Sequence, residues 1–137
     1  MSTGGSVDDQ PSYVLDASAI LAFLHREPGS ELVEAAVPVS VISSVNWAEV
    51  LQKIIARGGR EPQEVVEELE YLGLEVIPFT PEDAMGSALL WSSGRKRGLS
   101  LADRACLSVA QRLELSALTG DRRWADLDLG IKVQLIR

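Results

Sequence analysis

The feature that most constrains the fold is an alternation between short, wholly apolar runs and segments with helical periodicity. Tyr13-Val-Leu15 passes through Asp16 straight into a segment where Ala17, Ile20, Leu21 and Leu24 recur at helical spacing. A run that is apolar at every position is the pattern of a strand covered on both faces, as in a parallel sheet. The alternation continues down the chain. Leu32, Val33, Ala35 and Ala36 predict a short helix capped by Ser30, and Val39-Ser-Val-Ile42 predicts the second strand. Ser43-Ser44 caps a long helix with Trp47, Ala48, Leu51, Ile54 and Ile55 on its apolar side, ending at Gly58-Gly59. Pro62 sits in the first turn of the next helix, which carries Val65, Val66, Leu69 and Leu72 and stops at Gly73. Glu75–Phe79 is the third strand, and Thr80-Pro-Glu-Asp83 starts a helix with Ala84, Met85, Ala88 and Leu89 as its apolar residues. That helix runs into the basic turn Gly94-Arg-Lys-Arg-Gly98; Ser100-Leu-Ala-Asp103 then opens a helix striped by Ala102, Ala105, Cys106, Val109, Ala110 and Leu113. Leu115–Leu118 is the fourth strand, and Ile131–Leu135 alternates as an edge strand does. The expectation is a three-layer α/β/α sandwich around a central, mostly parallel sheet.

A chain of 137 residues is the size of one domain, taken here as residues 12–137. Residues 1–11 are polar, Gly-rich and aperiodic, and are expected to form a disordered tail. No stretch is apolar enough to span a bilayer and the N-terminus lacks a secretory pattern, so a soluble, cytoplasmic protein without a membrane partner is expected. Cys106 is the only cysteine, which excludes disulfide and cysteine-rich metal schemes and leaves a buried structural thiol. A net charge of −7 argues against non-specific coating of nucleic acid. Local basic clusters remain at Arg95-Lys96-Arg97, at Arg122-Arg123, and along Lys53, Arg57 and Arg60; taken alone, such a run is usually a solvated face.

In the expected fold the acids sort themselves. Asp16 follows the first strand, Glu49 follows the second by a helical turn, Asp103 opens a helix and Asp121 follows the fourth strand, so all four can face the carboxyl edge of the sheet. Ligands of open α/β sheets bind in the crevice outside that edge. Each acid has a second reading: Asp16 as an N-cap, Asp103 as half of a capping box, Glu49 as a solvated helix residue, Asp121 as turn chemistry. Clustered carboxylates repel, and a divalent cation removes the conflict. Oxygen donors suit Mg²⁺ or Mn²⁺, with one or two acids as direct ligands and the others holding its waters. Such an ion acidifies a bound water and neutralises charge on a phosphodiester, which points to phosphoryl transfer. With a single histidine, His25, read as a surface or helix-end residue, a histidine-pair ribonuclease is hard to build, and Gly58-Gly59 ends a helix instead of forming a phosphate loop.

Tyr13-Val-Leu-Asp16-Ala-Ser-Ala, Ser43-Ser-Val-Asn-Trp-Ala-Glu49, Leu99-Ser-Leu-Ala-Asp103 and Leu118-Thr-Gly-Asp121, in this order, resemble the PIN-domain family and, within it, the VapC-type toxins of prokaryotic toxin–antitoxin pairs. The resemblance runs from about residue 12 to the end. It implies a Mg²⁺- or Mn²⁺-dependent endoribonuclease with Asp16, Glu49, Asp103 and Asp121 on the family's acidic positions, a homodimer, and a cognate antitoxin that blocks the site. The fourth acid is the family's least constant position, and Asp126 and Asp128 are rivals to Asp121. The turn carrying Arg95, Lys96 and Arg97 leads toward Asp103, where its charge could guide RNA to the acidic pocket. Val50, Val66 and Tyr71, in the helices at 44–57 and 62–72, exceed one core-facing stripe and suggest a dimer surface. Two other classes stay open: a PIN-like module that binds RNA or protein without cutting, and a phosphatase on a similar fold. An aspartyl phosphatase, however, needs a second carboxylate where this chain has Ser18.

Overall fold

Strands Tyr13–Leu15 (β1), Ser40–Ser43 (β2), Glu75–Ile77 (β3), Ser116–Thr119 (β4) and Val133–Leu135 (β5) pair in parallel throughout, in the order β3-β2-β1-β4-β5. The computed structural model describes residues 11–137, so the tail expected over 1–11 falls, apart from Pro11, outside the described residues. The α-helices are Ala17–Leu24 (α1), Ser30–Ala36 (α2), Ser44–Arg57 (α3), Pro62–Tyr71 (α4), Pro81–Leu89 (α5), Trp91–Gly94 (α6) and Leu101–Leu113 (α7). Successive strand residues face opposite layers. Leu15, Ile42 and Leu118 pack with side chains of α1 to α4, while Val14, Val41 and Ala117 pack with Cys106, Leu107 and Val109 of α7 and with the buried Trp124. This is the expected α/β/α sandwich. Because every strand is parallel, all carboxyl ends share one edge, and the strand order reverses between β1 and β4, which opens a crevice between their ends.

Several local expectations change. Ser30 is the first residue of α2 and not its cap. The cap is Gly29, whose φ of +96° and whose backbone lie against the C-terminal segment: a Cβ there would come within 2.6 Å of the Ile136 carbonyl oxygen. The helix expected to run from Thr80 to the basic turn breaks at Leu90, and α6 and a 3₁₀ turn over Arg95–Arg97 follow. On α3 the buried residues are Asn46, Val50 and Ile54, with Trp47 and Leu51 partly buried, while Ile55 is exposed. Asn46 draws this face inward because its amide has partners on both sides, accepting from the Ser43 hydroxyl at 2.7 Å and donating to the Ala102 carbonyl at 2.9 Å. Val50 is therefore core and not surplus surface.

The largest reversal is α5. Ala84, Met85, Ala88 and Leu89, expected to pack inward, face solvent, with Met85 63% and Leu89 71% exposed. The helix instead seats its polar side on α7. Asp83, with a side chain 0% exposed, receives Arg112 Nε at 2.6 Å and a second guanidinium nitrogen at 2.9 Å. Ser108 Oγ donates to the Asp83 carbonyl at 3.1 Å, and Arg104 donates to the Ser87 carbonyl at 2.8 Å. Burial works against the ionised Asp83 carboxyl, but the hydrogen bonds from Arg112 and Thr80 outweigh it and hold the group below its ordinary pKa. A paired, fully hydrogen-bonded charge has no better place than this seam, so it decides the orientation of a helix whose apolar contribution is modest. Breaking a buried pair by removing one partner costs about 3–5 kcal/mol. Asp83→Ala should accordingly lower the urea midpoint severely.

Candidate active site

Asp16 stands where β1 turns into α1 and is 4% exposed. Its Oδ1 accepts the Ala19 N–H at 2.9 Å, so it does cap α1, and the same oxygen accepts the Ser18 hydroxyl at 2.7 Å. Its Oδ2 accepts the Thr119 hydroxyl at 2.6 Å. These hydroxyls are held in turn from the β4 side, Ser18 Oγ by the Gly120 N–H and Thr119 Oγ1 by the Asp121 N–H, each at 2.9 Å. The carboxylate is thus oriented from both strands of the crevice. The roles of Ser18 and Thr119 in holding Asp16 are not apparent from the four acids alone; the signal in the sequence is a hydroxyl two positions from an acid, in Asp16-Ala-Ser18 and Thr119-Gly-Asp121.

Asp16, Glu49, Asp103 and Asp121 line one open cleft of about 530 Å³ at the carboxyl edge. Asp103 forms the expected capping box with Ser100, its Oδ2 accepting the Ser100 N–H at 2.9 Å, yet its side chain also faces the cleft. Glu49 projects from the second turn of α3, 3.8 Å from Lys53 Nζ. Asp121 caps a 3₁₀ turn over Arg122–Trp124 and receives Arg123 at 2.6–3.1 Å through Nη2 and Nε. The same guanidinium lies 3.6 Å from Asp103 and donates to the Gly98 carbonyl at 2.9 Å. Of the three candidates for the fourth acid, Asp121 alone lines the cleft; Asp126 pairs with Arg97, and Asp128 is exposed.

The basic turn sits differently from expectation. Arg95 stacks over Trp91 at 5.0 Å, Arg97 is tied to Asp126, and neither they nor Lys96 line the cleft. The cations that do are Lys53, Arg57, Arg123 and Arg137, with His25 at the end of α1 beside them. Burial, and then the charge of Arg57, lowers the pKa of His25. Cys106 is buried as expected; burial raises its thiol pKa, and the charges of Asp16, Asp103 and Glu49 add to the rise.

The cleft's acids are hard oxygen donors, and Arg123 shows that a positive charge is already accommodated between Asp103 and Asp121. Among the described residues no group of three or more acid, histidine or cysteine side chains stands close enough together to hold a metal ion. Asp16 and Asp103 line the same cleft, and Mg²⁺ or Mn²⁺, which keeps several waters, takes one or two carboxylates directly.

Burial raises the Asp16 pKa from 3.8 to about 6; the hydroxyl and N–H donors oppose the rise and Asp103 adds to it. The folded state therefore binds this proton more tightly than the unfolded chain, and the resulting penalty on stability appears as pH rises from about 4 to 6. The ionised form above pH 6 costs about 3 kcal/mol. Asn keeps the capping oxygen without the charge. Metal-free Asp16→Asn should thus gain stability relative to the parent as pH rises from 4 to 7 in urea titrations; a constant difference would contradict the burial argument.

A family model described as PIN domain matches residues 13–129. No match by sequence is found among curated proteins. In structure the chain resembles the toxin–antitoxin complex from Klebsiella pneumoniae, with a TM-score of 0.71 and 21% identity over 92% of this chain and 98% of that one. DNA-bound VapBC from Salmonella typhimurium gives 0.68 and 17% identity over 93% and 100%. The sarcin–ricin loop cleaving toxin VapC20 of Mycobacterium tuberculosis gives 0.65 and 17% over 80% and 88%. These solved structures share the fold, and since the family model begins at β1 and runs past Asp121, taking in every acid of the cleft, the chain belongs to the PIN-domain family.

Proposed function

We propose that this protein is a Mg²⁺- or Mn²⁺-dependent endoribonuclease and the toxin of a toxin–antitoxin pair, acting in the cytoplasm. The observation that carries the reading is the convergence of Asp16, Glu49, Asp103 and Asp121, from four separate elements, on one cleft at the β1/β4 crevice of a PIN domain. Support for the toxin role comes from the structural relatives, one described as a toxin–antitoxin complex, one as DNA-bound VapBC and one as a toxin that cleaves the sarcin–ricin loop.

In this reading Asp16 and Asp103 hold the ion, and Glu49 and Asp121 hold its waters. When bound, the ion supplies a water of lowered pKa and charge neutralisation at the phosphodiester. Ser18 and Thr119 keep the Asp16 oxygens in place, so that no reorganisation is needed when charge develops. Arg123 orients Asp121 through its two nitrogens. A non-catalytic module is disfavoured because all four acids are present in the cleft. A phosphatase is disfavoured because Ser18, where a second carboxylate would be needed, is engaged with Asp16 and Gly120.

The antitoxin, in this reading, presents an arginine to the acidic cleft, and the seating of Arg123 supports the fit of a guanidinium there. Homodimerisation is supported by the exposed Met85, Leu89 and Trp91 on and just after α5 and by Tyr71, 90% exposed, on α4. Leu89→Glu should shift the protein toward monomer in light scattering; a parent that is monomeric across the micromolar range would refute the dimer.

Cleavage of single-stranded or looped RNA should require Mg²⁺ or Mn²⁺ and leave 5′-phosphate and 3′-hydroxyl ends. Asp16→Asn and Asp103→Asn, folded by circular dichroism, should each lose about two orders of magnitude or more. Glu49→Gln should be similarly severe, Asp121→Asn impaired, and Asp126→Asn and Asp128→Asn near the parent. Full cleavage in excess chelator, or unimpaired turnover by folded Asp103→Asn, would overturn the mechanism.

A further inference from the structure

An acidic cleft attracts a metal ion but repels a polyanion, so the strand to be cut needs cations beside it. In this chain Arg123 is engaged by Asp121, Arg137 by Glu27 and the Pro28 carbonyl, and two further cations stand on the α3 wall. Lys53 and Arg57 lie one turn apart on α3, about 6 Å along its axis, and both line the acidic cleft. Beyond them is an adjoining cleft of about 380 Å³ that shares His25 and Arg57 with the acidic one. Its lining includes Arg26, Arg57 and Arg60 but no carboxylate, although the chain carries a net charge of −7. Among the described residues Arg26 and Arg57 form no ion pair, and Arg60 meets Glu68 at 2.9 Å.

Helix ends alone do not account for this arrangement. Arg57 at the last turn of α3 offsets the helix dipole, but Arg26 and Arg60 lie outside the helices. Arg26 also holds a φ of 55°, a left-handed conformation uncommon for a residue other than glycine, asparagine or aspartate. Gly58 and Gly59 leave part of the wall open, because a Cβ on either would meet nothing within 4 Å. Three guanidinium-bearing residues around an open, side-chain-free stretch of backbone suit a run of phosphates.

We propose that the cleft lined by Arg26, Arg57 and Arg60, reached from the acidic cleft past Lys53, binds the backbone phosphates of single-stranded RNA that flank the scissile bond. The proposal rests on reading the acidic cleft as a ribonuclease site, and it moves the RNA contact from the turn at residues 95–97 to the α3 side.

The test is equilibrium binding of fluorescent oligouridylates of three and ten nucleotides to full-length Asp16→Asn, or to Asp103→Asn if the first fails to fold, across a salt series. The longer strand should bind at least about tenfold more tightly. Arg26→Gln combined with Arg57→Gln should abolish that advantage and reduce the salt slope by about 1.4, the value for two phosphate contacts on a single strand. Lys132→Gln, a charge removed just before β5 and away from both clefts, should leave the slope unchanged. Equal affinity for the two lengths, or an unchanged slope in the double variant, would overturn the proposal. So would an unchanged RNA slope accompanied by lost binding of a hexaglutamate peptide, which would assign the cleft to an acidic protein segment. Metal-dependent cleavage by the parent with an unchanged slope in the double variant overturns this proposal alone, whereas absence of RNA binding at either length by a folded protein overturns the ribonuclease reading with it.

Discussion

The buried carboxylate of Asp16 is the interaction on which the rest of the site depends. An ionised group at 4% exposure is tolerated only where its oxygens are satisfied, and three donors meet it, the Ala19 N–H and the Ser18 and Thr119 hydroxyls. Those donors come from the start of α1 and the end of β4, so the β1/β4 crevice and the orientation of the acid are one structure. The donors do not fully offset the loss of water, and the pKa remains raised to about 6. The cation proposed for this cleft would favour the ionised form and relieve that cost.

Charge is arranged in layers around this centre. The acids form the floor, Arg123 sits across Asp121 and near Asp103, and the remaining cations stand on the α3 wall and at the C-terminal residue Arg137. A net charge of −7 describes none of this, because the fields that matter act within about 8–10 Å at physiological salt. Position decides the electrostatic role. The densest run of basic residues, 95–97, is taken up by Trp91 and Asp126, while more dispersed cations gather beside the acids.

The seam between α5 and α7 illustrates a second constraint. A buried ion pair with good geometry is costly to break, and hydrophobic residues facing outward lose only the burial they might have had. Asp83 with Arg112 therefore outweighs the apolar periodicity of Ala84, Met85, Ala88 and Leu89 in choosing which side of α5 packs. The outward face that results is the exposed apolar surface on and around this helix.

The strands, the side-chain-capped helix starts and the acids were legible in the sequence because they depend on local chemistry. Short apolar runs bounded by turn and cap residues mark covered strands, and Thr80-Pro-Glu-Asp83 and Ser100-Leu-Ala-Asp103 cap helices through bonds spanning three residues. The parallel order followed from strand–helix alternation, and with it the placing of Asp16 and Asp121 at one edge. What only the tertiary structure decided are relations between residues far apart in the chain. Asn46 turns α3 by reaching Ala102, Asp83 turns α5 by reaching Arg112, and Thr119 orients Asp16 across 103 positions. Periodicity records which residues are apolar. It does not record which polar side chain will find a buried partner, because that partner is supplied by another element, and a satisfied buried polar group is strong enough to override the stripe.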